Sequence, residues 1–322
     1  MSQANDRSIK AEGIARYFGD VKAVDGIDLA IESGRIFGFL GPNGSGKTTT
    51  VKVLTTILAP TAGTAKVAGF DVTKEQEAVR SRIGVALQEI GLDPLMTARE
   101  MLVLQSRLFA TDAATARAAS ERLLETVGLA DVDAKKKVGE FSGGMKRRLD
   151  LALALVNDPD VLFLDEPTTG LDPASRLGIW EEVRRLNADR GVTIFLTTQY
   201  LEEADRLADE VAIINKGKIV AQGDPKSLKK DMGNEVVTLT FGSPEEAQRA
   251  DGVLAGPAPA RQLSGNDLVC YFSAAADKLP GIIRALDEAG IALASLNLAQ
   301  PTLDDVFLRV TGERLPGQKE AS

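Results

Sequence analysis

The apolar positions of this chain fall into short uninterrupted runs. Arg35–Leu40, Ile83–Gln88, Val161–Leu164 and Val192–Thr197 are compact blocks bounded by turn-forming or polar residues. Blocks of this length without polar alternation describe strands covered on both faces. Longer stretches of helical spacing separate them, and strands alternating with helices predict a mostly parallel sheet. Val211–Ile214 and Lys218–Ala221 flank Asn215-Lys216-Gly217, which predicts a hairpin with a short glycine-containing loop. Ser8–Ile31 reads as antiparallel β structure leading into the core.

Two regions depart from that rhythm. Leu95–Lys137 is rich in Ala, Leu, Arg and Glu and has no strand candidate, so residues from about 92 to 150 are expected to form a helical insert between sheet strands. After Gly223-Asp224-Pro225, strands are predicted at Glu235–Phe241, Leu268–Phe272 and Ile291–Leu296. Helices are predicted at Pro244–Ala255 and Leu279–Ala289, with a loop at Gly256–Ala260. The expected organisation is a tail over 1–7, an α/β domain over 8–230, a small α+β domain over 231–311 and a tail over 312–322. Near the end, Thr302 can cap a helix whose first turn holds Asp304 and Asp305. Leu303, Val306 and Phe307 then share one apolar face, suited to packing or a dimer contact.

Composition narrows the chemistry. The 322 residues are 44% hydrophobic and 26% charged, enough for real cores in a soluble chain. No apolar run approaches the roughly 18 residues of a membrane span. Met1–Lys10 lacks the apolar stretch of a secretory signal, so the expectation is a cytoplasmic protein that meets a membrane only through a partner. Cys270 is the only cysteine and histidine is absent. Disulfide frameworks, thiolate clusters, His-ligated zinc and imidazole acid–base chemistry are thereby excluded. The net charge of −8 argues against broad nucleic-acid binding, which depends on neutralising phosphates.

The candidate chemistry begins after Arg35–Leu40. Gly41-Pro42-Asn43-Gly44-Ser45-Gly46-Lys47-Thr48-Thr49 matches the P-loop pattern, placed between a strand and a helix starting near Lys47. The glycines let backbone N–H groups wrap the phosphates of ATP, and the helix start adds its positive end. Lys47 would pair with the β- and γ-phosphates, and the Thr48 hydroxyl would ligate Mg²⁺. Val161-Leu162-Phe163-Leu164 leads into Asp165-Glu166 at the strand end where ligands bind in open α/β sheets. Asp165 suits a Mg²⁺ ligand and Glu166 a base for the attacking water. Taken alone, the pair also describes a strand ending in solvated acids.

Phe141-Ser142-Gly143-Gly144-Met145-Lys146-Arg147-Arg148, shortly before that strand, resembles the signature sequence of ABC ATPases, with Phe for Leu and Met for Gln. The resemblance implies a P-loop ABC ATPase fold: a mostly parallel core, an antiparallel β subdomain and a helical insert. It also implies that Ser142, Gly143 and Gly144 face a γ-phosphate held by a second copy of the chain. By the same resemblance Gln88 is the Q-loop glutamine and touches Mg²⁺, and Asp172 lies in the loop that crosses the dimer interface. Phe18 matches the aromatic that stacks on adenine, with Tyr17 the neighbouring alternative. The family's switch histidine is replaced by Gln199, whose amide can donate to a phosphate oxygen but cannot shuttle a proton. Either Glu166 is the base with Gln199 as positioner, or turnover is slow.

Thr197-Thr198-Gln199-Tyr200-Leu201-Glu202-Glu203-Ala204-Asp205 and Gln300-Pro301-Thr302-Leu303-Asp304-Asp305-Val306-Phe307-Leu308 resemble the daunorubicin/doxorubicin resistance ATPases. The implied function is a homodimeric ATPase on the cytoplasmic face of a membrane. It would power export of a hydrophobic drug or secondary metabolite through a separate permease, without touching the cargo. Gly91–Leu102, with Asp93-Pro94-Leu95-Met96, is the expected docking segment for that permease. Export of lipid or polysaccharide, a soluble ABC ATPase and a plain P-loop kinase are the alternatives.

Overall fold

The computed structural model describes residues 7–88, 91–230, 235–258 and 260–312. Apart from Arg7 and Gly312, the two expected tails lie outside these, as does the expected domain start at Asp231. The chain divides into two compact units, Met1–Ile219 and Val220–Ser322.

The first unit opens with an antiparallel pair, β1 (Arg7–Phe18) and β2 (Val21–Glu32). There follow β3 (Ile36–Leu40), α1 (Lys47–Leu54), β4 (Ala62–Val67), β5 (Phe70–Asp71), α2 (Gln76–Arg82) and β6 (Ile83–Ala86). The insert carries α3 (Ala98–Leu108), α4 (Ala113–Thr126) and α5 (Gly143–Ala154). The core resumes with β7 (Val161–Asp165), α6 (Pro173–Arg190), β8 (Thr193–Thr198), α7 (Leu201–Leu207), β9 (Glu210–Asn215) and β10 (Lys218–Gly223), within which the division between the units falls.

One sheet has the order β2-β1-β4-β5 and the central one β10-β9-β3-β8-β7-β6. Neighbours from β9 through β6 are parallel. Successive side chains on these strands point to opposite faces, so each strand feeds two cores. Phe37, Phe39, Phe163 and Phe195 enter the core shared with β1 and β2. Ile36, Leu162, Leu164, Ile194 and Leu196 enter the core shared with the helical insert. Phe195 sits centrally, its ring centroid 5.4–5.6 Å from those of Phe37, Phe39 and Phe163. Burial on both faces explains why these strands show no polar alternation. Lys216 and Gly217 both adopt positive φ (50° and 80°), which closes the β9–β10 hairpin with the turn the strand twist favours.

Some elements escape the periodicity reading. β4 is mostly exposed and β5 is two residues long, so neither makes an apolar run. β6 stops at Ala86, so Gln88 lies beyond the strand and not at its end. The insert is helical as expected, with one isolated antiparallel bridge, Thr97 to Lys137. A capping box at Thr97 and Glu100 starts α3: the Glu100 N–H donates to the Thr97 hydroxyl, and the Thr97 N–H donates to the Glu100 carboxylate.

The second unit holds α8 (Pro225–Lys230), β11 (Glu235–Phe241), α9 (Pro244–Val253), β12 (Arg261–Ser264), β13 (Asp267–Phe272), α10 (Leu279–Glu288), β14 (Leu293–Ala299) and α11 (Leu303–Thr311). Its sheet has the order β12-β13-β11-β14 and is antiparallel throughout. A core of Val237, Leu239, Phe241, Leu268, Ile282 and Leu286 packs α9 and α10 against it. β12 was not foreseen, since Arg-Gln-Leu-Ser has neither an apolar run nor alternation. Thr302 caps α11 in a reciprocal box with Asp305, and Leu303, Val306, Phe307 and Leu308 are buried on it.

Candidate functional site

The loop between β3 and α1 is shaped by glycines that no other residue could replace without movement. A Cβ on Gly41 would lie 2.3 Å from the Ile214 carbonyl, and one on Gly46, at φ 114°, 2.3 Å from the Ala23 carbonyl. Pro42 is half-buried, whereas Asn43 and Gly44 are exposed at the loop's outer edge. Ser45 is buried with its hydroxyl unpartnered, and Thr48 and Thr49 are half-buried on the first turn of α1. That helix begins at Lys47 without a side-chain cap, so its first N–H groups are free to meet an anion.

Lys47 Nζ donates to the Gly41 and Pro42 carbonyls (2.8 and 3.2 Å) and lies 3.1 Å from Glu166 Oε1, in a pair about 4% exposed on each side. The P-loop and the end of β7 are therefore one assembly. Asp165 is fully buried. Its Oδ1 accepts from the Thr197 hydroxyl at 2.5 Å, while its Oδ2 has no hydrogen-bond partner. A buried carboxylate oxygen without a donor is costly unless something cationic completes it. The site therefore fits a hard cation such as Mg²⁺. Among the described residues no three His, Cys, Asp or Glu side chains stand together as a metal site.

Glu166 adopts φ 50°, uncommon for a residue with a side chain. Its N–H donates to the Thr197 carbonyl and hydroxyl, and Thr169 Oγ1 donates to its Oε2 at 3.2 Å. Thr197 thus holds both acids, at the end of the neighbouring strand β8. Nothing local in the sequence gives Thr197 this role; its place opposite the Asp165-Glu166 pair exists only once β7 and β8 align.

Ser142 caps α5, accepting from the Met145 N–H at 3.3 Å, and Gly143 and Gly144 form its first turn. A Cβ on Gly144 would meet Ser175 Oγ at 3.0 Å and one on Gly143 would meet Leu171 Cδ2 at 3.4 Å. Asp172 caps α6, accepting from the Ser175 N–H and hydroxyl, which hold its carboxyl below the usual range. Among the described residues no hydrogen bond or ion pair links Ser142–Gly144 to the P-loop of the same chain.

Gln199 is half-buried between β8 and α7, and Gln88 is exposed beyond β6. Phe18 is 46% exposed, with the Arg16 guanidinium 4.6 Å from its ring centroid. Tyr17 instead donates its hydroxyl to Asp25 at 2.8 Å. Beneath the site, Thr168 and Trp180 both donate to Glu203 Oε1 at 2.8 Å, and burial pushes the Glu203 carboxyl up.

The ABC transporter family matches residues 24–169, and the family described as ATP-binding protein DrrA1-3-like, C-terminal domain, matches 223–311. A daunorubicin resistance ATP-binding protein, DrrA3, of Streptomyces coeruleorubidus is 44% identical over 96% of this chain and 97% of its own length. A Nod factor export ATP-binding protein I of Burkholderia lata is 43% identical over 95% of this chain and 98% of its own. Among solved structures, cbiO1 from Clostridium perfringens, part of an ABC transporter complex, superposes with a TM-score of 0.65 at 26% identity. It covers 70% of this chain and 92% of that one. A dimeric bacterial ABC transporter cassette superposes with a TM-score of 0.62 at 25% identity, covering 67% and 98%. The chain therefore belongs to the ABC transporter ATP-binding family, in its daunorubicin-resistance branch, and is an ATPase subunit.

Proposed function

We propose that two copies of this chain close over two molecules of ATP, and that the cycle of closing and opening drives export of a hydrophobic drug or secondary metabolite through a separate membrane subunit. The observation that carries the reading is the buried assembly of Lys47, Asp165, Glu166 and Thr197 beside a glycine-built loop and an uncapped helix start. Lys47, with the N–H groups of Gly41–Thr49, would grip the β- and γ-phosphates. Thr48, Asp165 and Gln88 would hold Mg²⁺, which when bound neutralises charge on the phosphate oxygens. Glu166 accepts a proton from the attacking water. Gln199 donates an amide N–H to a γ-phosphate oxygen and so positions it. Phe18 stacks on adenine, a role favoured over Tyr17 because the Tyr17 hydroxyl is already committed to Asp25.

Ser142 and the first turn of α5, Gly143 and Gly144, would meet the γ-phosphate of the nucleotide held by a second copy, a reading supported by the dimeric cassette among the solved structures. ATP then binds the closed pair more tightly than the open one, and that differential affinity is the source of the stroke. Asp172, on the loop before α6, would lie at the same interface. Among the described residues no helix is long and apolar enough to cross a membrane. The place we propose, from the likeness to ATP-binding subunits of exporters, is peripheral, on the cytoplasmic face. A groove of about 490 Å³ lined by Ile57, Leu87, Gly91, Phe109 and Leu153 is suited to a partner helix, while Leu95 nearby is 79% exposed. The net charge of −8 supports no nucleic-acid partner.

A second reading, export of a lipid or saccharide-bearing molecule, is favoured by the Nod factor export relative. The cargo meets the membrane subunit in either case. The deciding experiment combines Glu166→Gln and Gln199→Ala with sizing in Mg-ATP and vesicle efflux beside the membrane partner. Full turnover in Glu166→Gln would remove the assigned base, and a monomeric Glu166→Gln protein at saturating Mg-ATP would remove the two-copy site.

A further inference from the structure

Arg147, on the second turn of α5, is a buried charge that no step above uses. A buried guanidinium is stable only when its donors are met, and here they meet five acceptors from three segments of the chain. Nε donates to the Pro167 carbonyl at 2.7 Å. Nη2 donates to the Asp165 and Glu166 carbonyls at 3.0 and 2.9 Å. Nη1 donates to the Leu87 carbonyl at 2.8 Å and to Asp150 Oδ2 at 2.9 Å. One rigid fork thus spans three consecutive carbonyls at the end of β7, the residue before Gln88, and a carboxylate one turn along its own helix.

The grip has a mechanical consequence. Glu166 stands at φ 50°, a strained conformation for a residue with a side chain, which persists only where surroundings over-determine it. Thr197 holds the N–H side of that residue, and Arg147 holds its carbonyl and those on either side. Asp150, which anchors the guanidinium, lines the same groove as Leu87 and Phe109. We propose that Arg147 is a positioning residue for Glu166. It ties the Glu166 turn to the segment before Gln88 and to the floor of the groove, so that a displacement there moves the catalytic carboxylate.

The inference rests on Glu166 being the base, and the test separates the two. The full-length protein is assayed in single turnover with excess protein over ATP, alongside binding of a fluorescent ATP analogue and thermal melting. Arg147→Lys, which keeps the charge but loses the fork, is expected to lower kcat about 10–100-fold with KM and analogue affinity within about threefold. Arg147→Met, which keeps the stem alone, is expected to lose more. Asp150→Asn, which leaves Arg147 in place but loosens its anchor, is expected to lose several-fold in kcat. Should Arg147→Met not fold, Arg147→Lys and Asp150→Asn decide. A residue serving only to fill volume would be replaced by Met as well as by Lys, with kcat of the folded protein unchanged. That result, or wild-type kcat in both Arg147→Lys and Asp150→Asn beside an inactive Glu166→Gln, overturns the inference alone. Wild-type turnover in Glu166→Gln overturns the assignment of the base instead.

Discussion

Lys47 of the P-loop and Glu166 at the end of β7 form an ion pair of 3.1 Å with both side chains almost wholly buried. The loop that would grip phosphate and the acid that would activate water therefore hold each other in register. Removing one partner leaves the other as an uncompensated buried charge. Lys47→Met is expected to lower the stability of the nucleotide-free protein by about 3 kcal/mol and to abolish ATP affinity. Urea unfolding with and without Mg-ATP measures both. An unchanged midpoint without nucleotide would show that the pair carries no weight.

Thr197 serves two acids with one hydroxyl, donating to Asp165 Oδ1 and accepting from the Glu166 N–H. Thr197→Val keeps the shape and removes both bonds. ATPase turnover is expected to fall about 10–100-fold, with a higher Mg²⁺ requirement, at a stability cost of about 1–3 kcal/mol for the unsatisfied buried groups. A magnesium titration of activity checks it, and a wild-type curve would contradict it.

Asp150 sits against Arg147 in a groove it shares with Arg80, and burial raises its carboxyl to about 6 despite the guanidinium beside it. A carboxyl whose folded pKa is raised binds its proton more tightly in the native than in the unfolded chain. Its stabilising contribution is therefore full below the ordinary aspartate value of 3.8 and is lost as pH rises through about 6. The stability difference between wild type and Asp150→Asn is expected to shift in favour of the variant by roughly 2–3 kcal/mol across that window. Chemical denaturation from pH 4 to pH 8 tests this, and a flat difference curve would refute it.

Cys270, the single thiol, is fully buried on β13 and burial pushes its pKa up to about 11. Thiolate is the reactive form, so the native protein is expected to resist alkylation at pH 7.5 while the unfolded chain reacts at once. Labelling rate against urea concentration then reports opening of the second unit specifically. Rapid labelling without denaturant would show that β11–β13 opens freely.

The central strands were legible in the sequence because burial on both faces leaves no polar alternation to confuse them. Their ends were less so: β6 stops two residues before Gln88, since strand ends depend on pairing with β7 and not on local composition. β4, β5 and β12 carry no apolar run: β4 is held by β1 from far along the chain, and β5 and β12 are short hairpin partners of β4 and β13.

Local sequence settles whatever depends on neighbouring residues. The glycine loop before α1, the acids closing β7, the Ser142 cap and the Thr302–Asp305 box all work over a few residues, so their chemistry can be read from the chain. Contacts that require distant segments to meet were decided by folding. Thr197 holds Asp165 across adjacent strands, Lys47 finds Glu166, and Arg147 grips the carbonyls of Asp165, Glu166 and Pro167 together with that of Leu87. An arginine inside a helix looks like a surface charge until the helix is packed. Only the packed sheet shows which backbone oxygens its donors satisfy.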